Sequence, residues 1–251
     1  MVKLCLMGGL LLLVPAVLLY IYKVTFVKRL AWALGKMIVC LGLAAAAMKL
    51  VFAYDHWWLA VVWILLMMSV AIIMTLRNGR LKRISFLCPL AAGVATAVVV
   101  TGLMVAVAFS GLCDVWTIRF LIPVAGLLSG TVIETCGKAL STYYMGLRYH
   151  GRLYDYLLGN GATHAEALAY FSRRSLERVL LPCLSTMGTQ VVATSPVMAW
   201  AVLMAGGSLT MAFLLQVMAL LAGLCCSVVA VVVTLYVARR FAFDSYLRLK
   251  G

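Results

Sequence analysis

The chain has 251 residues, of which 66% are hydrophobic and only 11% are charged. Soluble domains contain roughly 45–50% apolar and about 25% charged residues, so this composition excludes a water-soluble enzyme, a disordered chain and a secreted disulfide scaffold. The 21 lysines and arginines outnumber seven acidic residues, which gives a net charge of +14. In a membrane protein such an excess marks cytoplasmic loops rather than binding of nucleic acid.

Seven apolar runs predict seven membrane-spanning helices, because one span needs about 20 apolar residues. In chain order the runs are Leu4–Tyr22, Leu30–Ala53, Trp57–Leu76, Phe86–Ser110, Ile118–Leu147, Leu176–Ala205 and Met211–Ala238. The sequence therefore predicts an all-α, polytopic integral membrane protein. Residues 1–251 are expected to form a single transmembrane domain.

The basic residues predict the orientation of these spans. Of the 21 lysines and arginines, 16 follow the first, third, fifth and seventh spans, whereas the alternate loops carry almost none. Basic loops stay in the cytoplasm, so we expect the N-terminus outside and the C-terminus in the cytoplasm of a plasma (inner) membrane. The basic loops are also expected to contact lipid head groups.

The fifth span carries small and charged residues on one face. Four of them repeat every four residues, namely Gly126, Gly130, Glu134 and Lys138. The two glycines have the GxxxG spacing that permits close helix approach, and Glu134 precedes Lys138 in the order that favours an ion pair. This face is interpreted either as a helix-packing seam with a neutralising pair or as the lining of a translocation path.

The cytoplasmic segment from about residue 148 to 178, called the elbow below, is much longer than the other loops. The run Gly159–Gly161 breaks a helical extension of span five, since glycine and asparagine tolerate the left-handed turn. Thr163 opens the next helix, and Glu166 three residues later completes a capping box. The pattern predicts a helix–turn–helix unit projecting from the membrane, with a plain connecting loop as the alternative.

Apolar residues follow this capped start at helical spacing. Leu168 and Phe171 lie on one side of the predicted helix, with Arg173 and Arg174 turned elsewhere. A helix that stands off the membrane has an apolar face to bury, and a groove on a partner protein would cover it. We therefore expect Leu168 and Phe171 to be docking anchors, with the two arginines on the rim.

The elbow resembles the cytoplasmic coupling loop of ABC transporter permeases. The resemblance rests on Gly161-Ala162-Thr163, on Leu181-Pro182 about twenty residues later, and on Asp155, where importer-type permeases commonly carry a glutamate. From about Ile122 to Tyr236 the sequence is similar to the FetB-type permeases, a family assigned to iron export that includes plant aluminium-tolerance transporters. Further matching stretches are Ile122–Gly126, Ser129-Gly130, Arg174–Leu176 and Gln216–Met218. Departures from the family pattern fall at Thr131, Ser185, Gly188 and Ser195–Val197.

The resemblance implies the permease subunit of an ABC transporter, with metal-ion (iron) export as the implied transport. A separate cytoplasmic ABC ATPase would bind ATP, so no cofactor is expected in this chain. One such domain is half of a pore, which implies a homodimer with two ATPase chains. The elbow would be the coupling element, and Gln216 would belong with the face of span five.

The sequence does not predict an enzymatic activity for this chain. The three histidines fall in or beside loops, and the sequence has no HExxH motif, paired carboxylates or P-loop. An ATP-independent secondary transporter or channel is the main alternative; it explains the spans and the Glu134–Lys138 pair, but not the capped elbow. A membrane scaffold or assembly factor is the third interpretation.

Overall fold

The computed structural model describes residues 27–54, 56–78, 86–111, 117–190 and 195–242. All regular elements within these ranges are helices. They are α1 (Val27–Tyr54), α2 (Trp57–Asn78), α3 (Leu87–Phe109), α4 (Ile118–Tyr149), α5 (Gly151–Gly159), α6 (His164–Gly188), α7 (Val197–Met204) and α8 (Leu209–Ala242). The predicted all-α class is confirmed for this part of the chain.

Five of the described helices are long and apolar enough to cross a membrane. The candidate spans are Trp32–Tyr54, Trp57–Arg77, Leu87–Phe109, Phe120–Tyr149 and Leu209–Arg239. They coincide with the second, third, fourth, fifth and seventh predicted spans, and they fit an integral membrane protein. The first predicted span, Leu4–Tyr22, lies outside the described residues.

The sixth predicted span, Leu176–Ala205, is not one continuous helix. Its apolar run is divided between α6, which ends at Gly188, and α7, which begins after Pro196. Glycine weakens a helix and proline cannot donate a backbone hydrogen bond, so both residues favour the break. The eight residues of α7 extend only about 12 Å, which is too short to cross about 30 Å of hydrocarbon.

The chain divides into two compact units, Met1–His56 and Trp57–Gly251. Within the first unit the structure describes α1, a helix of 28 residues. Most of its described side chains are exposed, including Trp32, Ile38 and Leu43. A helix that is apolar on all sides and exposed in this way is typical of a membrane span covered by lipid.

In the second unit α4 lies at the centre and packs on α2, α3, α6 and α8. The largest fully buried side chains include Leu90, Leu128, Leu140, Tyr143 and Val231, from α3, α4 and α8. The helices α3 and α8 are in close contact at Gly93, where a Cβ atom would lie 2.9 Å from the carbonyl oxygen of Ala230. Only glycine fits there, because the two backbones are nearly in contact.

An aromatic residue at each end of α3 contacts an aromatic residue of α4. The rings of Phe86 and Tyr144 have centroids 4.4 Å apart, and those of Phe109 and Phe120 are 5.6 Å apart. The 23 residues of α3 extend about 35 Å, close to the hydrocarbon thickness of about 30 Å. Phe120 and Tyr144 are thus about as far apart along α4 as the two ends of α3 are along α3.

The helical extension predicted for span five is a separate short helix. α4 ends at Tyr149, His150 has a non-helical backbone (φ −114°, ψ 33°), and α5 then begins at Gly151. The helix thus bends just beyond the level of Tyr144. Two proline rings lie within longer helices, Pro123 in α4 and Pro182 in α6.

Candidate functional site

The turn of the elbow is built on a left-handed glycine. Gly161 has φ +86°, a conformation that glycine adopts without steric cost. Its N–H donates to the carbonyl oxygen of Leu158 at 3.1 Å, and the N–H of Ala162 donates to that of Leu157, also at 3.1 Å. This pair of bonds is the Schellman motif, which satisfies the last carbonyls of α5.

The next helix starts with the predicted capping box, which is confirmed. The backbone N–H of Thr163 donates to Glu166 Oε2 at 2.8 Å, and the backbone N–H of Glu166 donates to Thr163 Oγ1 at 3.4 Å. Hydrogen bonds from the backbone and side chain of Thr163 lower the pKa of the Glu166 carboxyl below its usual value. Only two residues separate the turn glycine from the first residue of α6, so the elbow reverses direction abruptly.

A polar contact that the sequence analysis missed joins α5 to α6. Tyr154 is buried, and its phenol oxygen lies 2.7 Å from His164 Nδ1. Burial, and then the positive charge of Arg239, lower the pKa of His164, while burial, and then the Asp155 carboxylate, raise the pKa of Tyr154. His164 follows Tyr154 by ten positions in the sequence, and no local motif marks their contact.

The anchor role predicted for Leu168 and Phe171 is wrong. Both side chains are buried in this chain's own core, with 0% and 3% of their surface exposed. The ring of Phe171 packs over Gly146 of α4, where a Cβ atom would lie 3.2 Å from Phe171 Cδ1. The apolar side of α6 is therefore covered by α4, so these residues attach the elbow to the membrane helices and are not available to a partner.

A hydrogen bond between helices reinforces this attachment. Ser175 is fully buried, and its hydroxyl donates to the carbonyl oxygen of Ala139 at 2.6 Å. The bond joins α6 to α4 about one turn beyond Phe171. Because a buried hydroxyl without a partner would be costly, it also fixes the register of the two helices.

The surface of the elbow that remains exposed is polar and aromatic. Its exposed residues include Asp155, Tyr156, Gly161, Thr163, Glu166, Tyr170, Arg173 and Arg174, whereas Ala162 is half-buried. Arg173 Nε lies 3.1 Å from Glu177 Oε1. Two tyrosines stand out among these residues, because Tyr156 is 66% and Tyr170 46% exposed.

The face of α4 with the four-residue repeat is only partly a packing seam. A Cβ atom at Gly126 would lie 3.5 Å from Met67 Cε of α2, whereas one at Gly130 would meet no atom within 4 Å. Lys138 Nζ lies 2.7 Å from Glu134 Oε1, so the ion pair is formed. The two side chains are 64% and 73% exposed. This chain therefore neutralises the pair but does not cover it.

Gln216 lies on α8 and contacts the short helix α7. Its Oε1 accepts the backbone N–H of Ala199 at 3.3 Å. It satisfies one of the N–H groups that the start of a helix leaves without a partner. The grouping of Gln216 with the face of α4 stays a prediction.

Groups of three or more His, Cys, Asp or Glu side chains arranged to hold a metal ion are absent from the described residues. The family model described as Uncharacterised protein family (UPF0014) matches residues 1–243. No curated protein and no solved structure matches the chain.

Proposed function

Because the chain belongs to the UPF0014 family, we propose that it is the permease subunit of an ABC transporter. This is the family of FetB-type ABC-transporter permeases, and the five span-length helices fit a membrane transporter permease. In this proposal a separate cytoplasmic ATPase binds ATP, and two copies of the chain form the pore.

The observation that carries the proposal is the construction of the elbow. Its turn is fixed by the Schellman motif at Gly161 and by the capping box of Thr163 and Glu166. Leu168 and Phe171 then bury their side chains in the core around α4. Because the turn is rigid and α6 is packed on α4, a displacement of the exposed residues of the elbow is passed on to α4. A coupling element must do this.

The exposed residues of the elbow replace Leu168 and Phe171 as the proposed contact with the ATPase. Large aromatic side chains dominate binding energy at protein interfaces, so we assign the main contacts to Tyr156 and Tyr170. Asp155, Glu166 and Arg173 lie exposed beside them. Exposed charges of this kind affect the rate of encounter more than the affinity.

The proposed translocation path runs along the face of α4 that contains Gly130, Glu134 and Lys138. Support comes from the exposure of the ion pair and from the open space above Gly130. A charged pair that its own chain leaves uncovered is costly against lipid, and a second copy or a water-filled path would remove that cost. Metal-ion (iron) export is the transport that the resemblance to FetB-type permeases suggests.

The assembly is tested by purifying the chain from its native membrane in a mild detergent and identifying the proteins that accompany it. We expect an ABC ATPase with the unmodified chain and its loss with the double variant Tyr156→Ala, Tyr170→Ala. Trp200→Ala is the matched control, since Trp200 is an aromatic residue of α7 with 49% exposure. Loss of the ATPase in the control as well would contradict the assignment to the elbow.

The substrate is tested separately, by measuring the metal content of cells that produce the chain together with its ATPase. Iron should fall relative to cells that produce the double tyrosine variant. Unchanged iron with a retained ATPase would overturn the iron proposal alone.

An ATP-independent secondary transporter is the second candidate. The exposed Glu134–Lys138 pair favours it, because charged residues within spans line ion and proton paths in such proteins. If no ATPase accompanies the unmodified chain, this candidate replaces the ABC permease.

A further inference from the structure

A cleft of about 520 Å³ opens between α4 and α6, close to the bend that leads into the elbow. Lys138, Ser141 and Thr142 line it from α4, and Phe171, Arg174 and Arg178 line it from α6. Tyr149 and His150 complete its polar lining, so the lysine, the two arginines, one imidazole and three hydroxyl groups border one concavity. A volume of this size accommodates a small ligand or the head group of a lipid.

The positive charge of the cleft is not balanced by its own carboxylates. Among the described residues, Glu134 pairs with Lys138, and Glu177 pairs with Arg173, which does not line the cleft. Arg174 and Arg178 take part in neither ion pair; Arg174 donates to the hydroxyl of Tyr170 at 3.4 Å. The two arginines leave the cleft with a net positive charge.

The walls of the cleft are held in place before any ligand arrives. The Ser175 hydroxyl bonded to Ala139 and the Phe171 ring packed on Gly146 hold α6 against α4 beside the cleft. Arg174 and Arg178, four residues apart, lie one turn from each other on the same side of α6. A binding site with fixed walls loses less entropy when it is filled.

The cleft lies beside one end of a candidate membrane span. Its lining residues on α4 run from Lys138 to His150, and the candidate span of α4 ends at Tyr149. Lipid head groups border the ends of membrane-spanning helices. Arginine suits phosphate chemically, because its planar guanidinium donates two parallel hydrogen bonds to phosphate oxygens.

We propose that this cleft binds the phosphate group of an anionic ligand. Arg174 and Arg178 hold the phosphate oxygens, and the hydroxyls of Ser141 and Thr142 donate hydrogen bonds. Two sources have this chemistry, an anionic lipid head group and a soluble phosphate monoester. Neither source depends on an ATPase partner, so the proposal stands apart from the function proposed above.

The test uses the full chain in nanodiscs of phosphatidylcholine alone or of phosphatidylcholine mixed with phosphatidylglycerol. Retained lipid is counted by native mass spectrometry, and the thermal unfolding midpoint is measured in parallel. In a third arm, glycerol 3-phosphate is added to the phosphatidylcholine nanodiscs. Specific retention of phosphatidylglycerol would identify the lipid as the source, and a raised midpoint in the third arm would identify a soluble phosphate ester.

The variants separate this cleft from the general attraction of a basic protein for anions. Arg174→Gln and Arg178→Gln should each weaken binding about tenfold or more, the loss expected for a charge-assisted hydrogen bond. Arg173→Gln is the matched control, since it removes the neighbouring arginine outside the cleft. Equal weakening by all three variants would overturn the proposal.

If a glutamine variant does not fold, the measurements on the unmodified chain test the proposal. Absence of any preference for phosphatidylglycerol, together with no effect of glycerol 3-phosphate on the unfolding midpoint, would also overturn the proposal.

Discussion

Two turns of this molecule have the same backbone motif, but the helices beside them differ in their tertiary contacts. The elbow turns at Gly161 and the α7–α8 connection turns at Gly206, with φ angles of +86° and +85°. At Gly206 the bonds from Gly206 N to Leu203 O and from Gly207 N to Val202 O again form a Schellman motif. Identical turn chemistry therefore serves two connections that differ in what surrounds them.

The difference lies in the attachments beyond the turn. After Gly161 the chain enters α6, whose Phe171 and Ser175 are buried against α4. The short helix α7 before Gly206 packs on α8, where Ala199 is buried and donates its backbone N–H to Gln216, but the other residues of α7 are exposed or half-buried. A tight turn fixes local direction, whereas rigidity over a distance comes from the tertiary contacts that follow it.

The largest expected effect comes from detaching α6. Phe171→Ala removes a buried ring and should lower the free energy of unfolding by about 3–5 kcal/mol. Trp200→Ala, on the exposed side of α7, should cost far less. Thermal unfolding in detergent compares the two variants, and similar losses would show that both turns depend equally on packing.

Alanine at the two turn glycines should have the next largest effect. Gly161→Ala and Gly206→Ala each place a Cβ atom in the left-handed region, which costs about 1–2 kcal/mol. Gly159→Ala is the control, because that glycine is helical with open space around it. Only Gly161→Ala should also reduce ATPase retention in the pull-down. A reduction with Gly206→Ala would contradict the claim that the turn at Gly161 alone supports contact with the ATPase.

The helix starts that follow the two turns provide a smaller comparison. Thr163→Ala removes the cap of α6, and Ser208→Ala removes the hydroxyl that accepts the backbone N–H of Met211 at the start of α8. Each loss should cost about 0.5–2 kcal/mol. Thr163→Ala should lower the stability more than Ser208→Ala, because it also disturbs the second hydrogen bond of the capping box, from the backbone N–H of residue 163 to Glu166. Hydrogen exchange of the first turn of each helix measures the effect, and equal protection in both variants would contradict it.

The smallest expected effect is on pH dependence. The pKa of His164 is lowered in the folded elbow, so the folded state binds fewer protons than the unfolded one. Its contribution to stability is present above the usual pKa of 6.5 and is lost as the pH falls below it. Acidification should loosen the contact with Tyr154 and speed hydrogen exchange in α5. His164→Gln should remove this pH dependence, whereas the turn at Gly206 should show none.

The local features of the elbow follow from its sequence. A left-handed turn at Gly161 and a capping box from Thr163 to Glu166 are short-range signals, and both are confirmed. The burial of Leu168 and Phe171 depends on Gly146 and the rest of α4. Spacing along α6 reveals an apolar side but not what covers it. The exposed tyrosines, Tyr156 and Tyr170, are therefore the proposed contacts of the elbow with the ATPase.

The same limit explains the division of the sixth apolar run. Hydropathy is nearly continuous from Leu176 to Ala205, so composition alone predicts one span. The helix breaks at Gly188 and restarts after Pro196. Gln216 then satisfies the start of α7 from 17 residues further along the chain. Such a contact between helices is not encoded in the periodicity of either helix.

The Glu134–Lys138 pair has a consequence for the biogenesis of the protein. Both partners belong to α4 and are one helical turn apart, so their neutralisation needs only the formation of that helix. An isolated charge at the centre of a span raises the free energy of insertion by about 2.5–3.5 kcal/mol. A counter-ion within the same helix should lower this cost while α4 inserts, and only the cost of the uncovered ion pair is then left for a second copy or a water-filled path to remove.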